Sequence, residues 1–164
     1  MYDKHGEFDS YVELNTAAAK LKEEGDEKAL MELAAENGIP KEDAEDYYDG
    51  TIDTLCTPLT AAIGKLDIEI ANLKPQDIME DWSNYMRQQL LESENMRIEY
   101  RRKSKSLKGL IGELLKWSFN HQQKIDTDII KAAGISGPNA GKITIGIPGM
   151  GTAHKIIKEY LGGK

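Results

Sequence analysis

Between Leu59 and Phe119 the apolar residues recur every third or fourth position, and the chain holds no pair of alternating stretches long enough to build a sheet. That spacing puts one apolar stripe on each of a series of helices. Leu59, Ile63, Leu66, Ile70 and Leu73 share a face of a helix that begins near Thr57-Pro58 and stops before Pro75. Ile78, Trp82, Tyr85, Met86 and Leu90 share the next. A third spans Leu107 to His121 with Leu110, Ile111, Leu114, Leu115 and Phe119 expected inward, and a helix over 94–103 precedes it. Gly109 and Gly112 weaken the third helix, and their spacing opens it to close approach by another helix or a ligand.

Three short helices precede this core. Asp9 or Ser10 caps the first, which carries Tyr11, Leu14, Ala18 and Leu21 and ends at Gly25. Asp26 caps the second, with Leu30, Leu33 and Ala34 on one face. Pro40 suits the first turn of the third, which runs from Lys41 to Tyr48 and closes at Gly50. After a short helix ending at Ala133-Gly134 the chain changes character. ISGPNAG is turn-rich, KITIGIP alternates like a strand, GMG is a tight loop and TAHKIIKEYL is an amphipathic helix. The expected fold is therefore mainly α: a bundle-like helical core with a small extended element and a glycine-rich turn near the C-terminus. An acidic short-helix segment, 1–50, and a helical core with its strand-turn-helix tail, 51–164, form one compact unit. A lone strand leaves its backbone unsatisfied, so 143–147 is expected to pair with a poorly patterned segment of the same chain.

Charge divides the chain. Residues 1–82 hold 7 Lys and Arg against 21 Asp and Glu, a net of -14, whereas residues 83–164 hold 14 against 7, a net of +7. Such a split points to a charged partner, or to halves that attract each other within one fold. Cys56 is the one cysteine, which excludes an internal disulfide and a multi-cysteine zinc site and fits a reducing compartment. No apolar run reaches the ~18 residues that span a bilayer, and the polar start MYDKHGEFDSY lacks the pattern of a signal peptide. The expected location is the cytoplasm of a bacterial host cell, with no membrane partner.

Three places carry candidate binding chemistry. Asp43, Glu45, Asp46 and Asp49 form an acidic helical face suited to a basic protein partner. It is not a calcium loop: with Gly50 sixth, the first and third positions are Glu45 and Tyr47. Arg97, Arg101, Arg102, Lys103, Lys105 and Lys108 are clustered cations that neutralise phosphates in a nucleic-acid contact, with Tyr100 free to stack on a base. Gly149, Gly151, Thr152 and Lys155 sit where a strand, a glycine turn and a helix N-terminus aim amides at a phosphate, although a dinucleotide fingerprint requires glycine where His154 stands. On the structural alternative Thr152 caps the helix and the glycines fold the strand back. DIIKAAGIS resembles the second helix and turn of a helix-turn-helix, but turn and strand follow where a recognition helix belongs. His5, His121 and His154 lack metal spacing. No metal, cofactor or catalytic residue is assigned, and the chain is read as a non-enzyme.

KSLKGLIGELLKWSF, residues 105–119, and ITIGIPGMGTAHKIIKEYLGG, residues 143–163, resemble small proteins carried by phages and conjugative elements of gut Firmicutes, a source of anti-CRISPR proteins. The resemblance implies a mobile-element protein that occupies a macromolecular surface, in its most specific form an inhibitor whose acidic half competes for the basic nucleic-acid channel of a Cas nuclease. The alternatives are a nucleic-acid-binding accessory protein using 97–108 and a nucleotide-handling enzyme built on the glycine-rich tail.

Overall fold

Short polar side chains begin the helices where the sequence places them. Ser10, Asp26, Thr57 and Ser106 each accept a hydrogen bond from the amide three residues on, satisfying one donor that the first turn leaves without a partner. The computed structural model describes residues 2–163. Their α-helices are α1 (Tyr11–Glu23), α2 (Glu27–Glu36), α3 (Lys41–Asp49), α4 (Pro58–Leu73), α5 (Ile78–Glu92), α6 (Glu94–Arg101), α7 (Leu107–Asn120), α8 (Thr127–Ala132) and α9 (Met150–Tyr160). Gly50 closes α3 at φ +82°, a left-handed conformation that glycine adopts without strain.

The extended element is two residues on each side. β1 (Gln123–Lys124) pairs antiparallel with β2 (Thr144–Ile145), in the register Gln123 to Ile145 and Lys124 to Thr144. The Ile125 amide extends the ladder by donating to the Ile143 carbonyl at 3.1 Å. The strand thus finds its partner within the chain, in a segment with no alternating pattern of its own.

Two apolar cores lie on opposite sides of α4. Leu14, Ala18, Leu30, Leu33, Ala44 and Tyr47 fill the N-terminal core, which runs on through Leu55, Cys56 and Ala61. Ala62, Leu66, Trp82, Met86, Leu90, Tyr100, Leu110, Leu114, Ala153 and Ile157 fill the other. The acidic segment therefore completes its core with residues beyond position 50. Burial on two sides also changes which face of α4 is covered. Ala61, Ala62, Gly64, Lys65, Leu66 and Glu69 are buried, while Leu59, Ile63 and Ile70 are half-buried and Leu73 is exposed.

Two further expectations are corrected. Leu115 and Phe119 do not point inward; they are 65% and 80% exposed, because α4, α5 and α9 cover α7 along Leu107, Leu110, Ile111 and Leu114 and leave its far side open. Helix α9 begins at Met150 with Gly149 as its cap residue, so Thr152 lies within the first turn and caps nothing. Gly151 is helical and exposed, with open space where a Cβ would go, so it does not fold the strand back onto its helix.

Candidate functional site

Helix α3 buries Ala44 and Tyr47 and turns Glu45, Asp46 and Asp49 to solvent, with Asp43 half-buried. Glu45 pairs with Lys41 one turn earlier at 2.8 Å. Among the described residues no cation stands within salt-bridge distance of Asp43, Asp46 or Asp49. The α1–α2 turn brings more acid to the same end of the molecule. The Tyr48 hydroxyl donates to the Gly25 carbonyl at 3.3 Å, which sets exposed Glu23, Glu24, Asp26 and Glu27 beside α3. The four acidic candidates thus belong to a wider acidic surface whose like charges lie close enough to reinforce one another's field.

The basic stretch has a different fate. Arg97 closes the end of α5, donating to the Leu90 and Leu91 carbonyls, each at 2.5 Å. Arg101 is 1% exposed and donates to Asn37 Oδ1 at 2.6 Å. Arg102 pairs with Glu99 at 2.9 Å. Lys105 donates to the Tyr160 carbonyl at 2.8 Å while its ammonium lies over the Tyr160 ring. Only Lys103 and Lys108 of the six face solvent with no intramolecular ion pair among the described residues. Tyr100 is fully buried, its hydroxyl on Glu69 Oε2, and is not available to stack on a base.

These contacts belong to a polar seam between the two cores that the sequence reading missed. Lys65 is fully buried; its ammonium reaches Glu7 Oε1 at 2.6 Å and the Arg102 carbonyl at 2.9 Å. Burial holds the Lys65 pKa below its ordinary value, with Glu7 opposing that shift. Glu69, which also takes the Leu107 amide, is pushed up by burial. Arg101 Nε and Nη1 find no acceptor among the described residues. Residues before α1 bind the seam on the outside: the Lys4 and His5 amides donate to Glu36, and Asp9 accepts from the Lys103 amide. The signal available in sequence was a lysine and a glutamate, Lys65 and Glu69, one turn apart among the apolar residues of α4.

The glycine turn presents an open helix end. Gly149 precedes α9 with no side-chain cap, Gly149 and Gly151 are exposed, Thr152 is half-buried and Lys155 pairs with Glu159 at 3.8 Å. His154 stacks on Tyr85 at 3.5 Å between ring centroids, a packing role. Cys56 is buried with its thiol pushed up to about 12 by desolvation, which suppresses the thiolate a nucleophile needs. Among the described residues no group of three His, Cys, Asp or Glu side chains is placed to hold a metal, and no helix is long and apolar enough to cross a membrane.

No known protein family, curated protein or solved structure matches the chain at a significant level.

Proposed function

We propose that the chain is a non-enzymatic binding protein whose acidic helical face docks on a basic surface of a macromolecular partner. One observation carries the reading: Glu45, Asp46 and Asp49 of α3 stay in solvent, with Asp43 half-buried, while most of the basic 97–108 stretch is used inside the molecule. Arg87 with Asp67 is the one ion pair that joins the two halves among the described residues, so the halves do little to neutralise each other and a strong negative field is left on one lobe. Such a field raises encounter rates with a positive surface and disfavours nucleic acid as the direct ligand of that face. The most specific form, which rests on the resemblance to mobile-element proteins, is an anti-CRISPR inhibitor that competes for the nucleic-acid channel of a Cas nuclease.

Target-DNA cleavage by a guide-loaded Cas nuclease, titrated with this protein, tests the specific form. Inhibition is expected from the wild type and not from the variant Asp43→Lys, Glu45→Lys, Asp46→Lys and Asp49→Lys, with helix content unchanged by circular dichroism. Pull-downs from nuclease-treated host lysate test the broader form. A reversed variant that captures the same proteins as the wild type removes the acidic face from the interface.

A further inference from the structure

A guanidinium stays ionised in any folded protein, and Arg101 carries that charge into the seam between the lobes without meeting a carboxylate. Among the described residues no Asp or Glu stands within salt-bridge distance of it. Its Nη2 donates to a neutral acceptor, Asn37 Oδ1, while Nε and Nη1 have no partner. Both carboxylates of the seam are engaged elsewhere. Glu7 Oε1 takes the Lys65 ammonium, and Glu69 Oε2 takes the Tyr100 hydroxyl and the Leu107 amide. Lys65 adds a second cation, whose pKa is held down by burial and further by the nearby guanidinium, with Glu7 opposing. A third donor stands at the same place. The Tyr2 hydroxyl is buried with no hydrogen-bond partner among the described residues, beside the guanidinium: burial raises its pKa and Arg101 opposes the rise.

We infer that the seam is a binding site for one small monovalent anion of the halide class, held by Arg101 Nε and Nη1 and by the Tyr2 hydroxyl. The unmatched groups are all donors, so the ligand they call for is an acceptor. A water molecule accepts from two of them at most, brings two hydrogens of its own that need acceptors, and leaves the guanidinium charge uncompensated. That charge is the larger cost, because burying an unpaired ion is far more expensive than burying an unpaired dipole. A halide accepts from all three donors and supplies the countercharge. The enclosure sets the size. Arg101 is 1% exposed, and Asn37, Lys65 and Tyr100 around it are fully buried, so the site admits an ion not much larger than water and excludes a nucleotide. The anion also has a structural consequence. It joins Tyr2, ahead of α1, to α6, and so adds to the hold that Glu7 on Lys65 and Asp9 on the Lys103 amide already give that segment.

Thermal melts of the full chain in sodium bromide, with sodium gluconate making up a constant ionic strength, test the proposal. Gluconate is too large for the enclosed site. The wild type is expected to melt about 3–5 °C higher for each tenfold in bromide above half-saturation, as mass action requires for a chain of this length. Arg101→Met keeps much of the side chain's volume and removes the charge; its melting temperature is expected to be the same in both salts. Tyr2→Phe leaves the charge in place and is expected to need roughly tenfold more bromide for the same rise, as loss of one hydrogen bond to an ion does. Anomalous scattering from a bromide-soaked wild-type crystal is expected to place one ion within hydrogen-bond reach of Arg101 Nε and Nη1. That measurement reads the site even if Arg101→Met does not fold. A wild type whose melting temperature ignores bromide overturns the proposal, and so does a bromide response that survives in Arg101→Met. A crystal with water or a Glu7 oxygen at those two donors overturns it as well.

Discussion

Gly38 and Gly64 meet backbone to backbone. A Cβ on Gly38 would stand 2.3 Å from the Gly64 carbonyl oxygen, and one on Gly64 would stand 2.6 Å from the carbonyl oxygens of Asn37 and Gly38. Gly38 also holds φ at +69°. This contact seats the α2–α3 turn on α4 and brings Asn37 within reach of Arg101, so two glycines set the spacing between the lobes.

Gly64→Ala is therefore expected to destabilise the protein by about 2–3 kcal/mol, since the obstructing atoms are backbone and cannot swing aside. Intrinsic helix propensity alone predicts the opposite sign, a gain of about 1 kcal/mol. Urea unfolding of the two proteins decides between them, and a variant more stable than wild type would mean that the lobes are free to separate at this point.

The buried Lys65–Glu7 pair predicts an asymmetry. Glu7→Gln leaves a fully buried ammonium without its nearest carboxylate and is expected to cost about 3 kcal/mol. Lys65→Met is expected to cost less, because the Glu7 side chain is 27% exposed and can rehydrate. The pH dependence has a definite sign. Lys65 has a folded pKa below its ordinary 10.5, so in the window between the two the unfolded chain holds more protons, and stability rises as pH climbs through it. Glu7→Gln removes a group that raises the folded value, so the rise should begin nearer neutrality. Glu69 acts at the other end: its folded pKa lies above 4.5, and the stability it contributes below 4.5 is lost as pH rises through the folded value. Urea midpoints measured from pH 4 to 10 on wild type and Glu7→Gln check both windows, and identical alkaline limbs would exclude Lys65 as their source.

The helices were legible because their ends are chemical. Ser10, Asp26 and Thr57 are caps, Pro58 is at home in a first turn and Gly50 is a stop, and each acts locally. What covers a helix face is not local. Leu115 and Phe119 keep the spacing of a buried stripe, and no periodicity reveals that α4, α5 and α9 stop short of them. Arg97 and Arg101 read as members of a solvated basic run, because the carbonyls of Leu90 and Leu91 and the amide of Asn37 reach them through the tertiary fold. The exposure of Glu45, Asp46 and Asp49 follows for the converse reason: α3 buries only Ala44 and Tyr47, and these three lie on the side away from both.

The N-terminus of α9 offers a test in which two uses of the glycine turn predict opposite responses. Gly151 is helical, exposed and unobstructed, so Gly151→Ala is expected to stabilise by about 0.5–1 kcal/mol. Gly149 stands at the cap position with extended backbone, φ -62° and ψ 161°, and contributes no side-chain bond. Gly149→Asp supplies one and places a negative charge at the positive end of the helix, a further gain of a few tenths of a kcal/mol. If the turn serves only as a helix start, both variants melt above wild type, and neither phosphate nor a nucleotide changes the order. If Gly149, Gly151, Thr152 and Lys155 hold a phosphate, the ligand raises the wild-type melting temperature by mass action, and Gly149→Asp abolishes that rise because its carboxylate occupies the anion's place. Thermal melts of the three proteins with and without phosphate and a nucleotide panel distinguish the two, and a ligand-dependent rise confined to proteins with Gly149 intact would move the binding chemistry of this chain to α9.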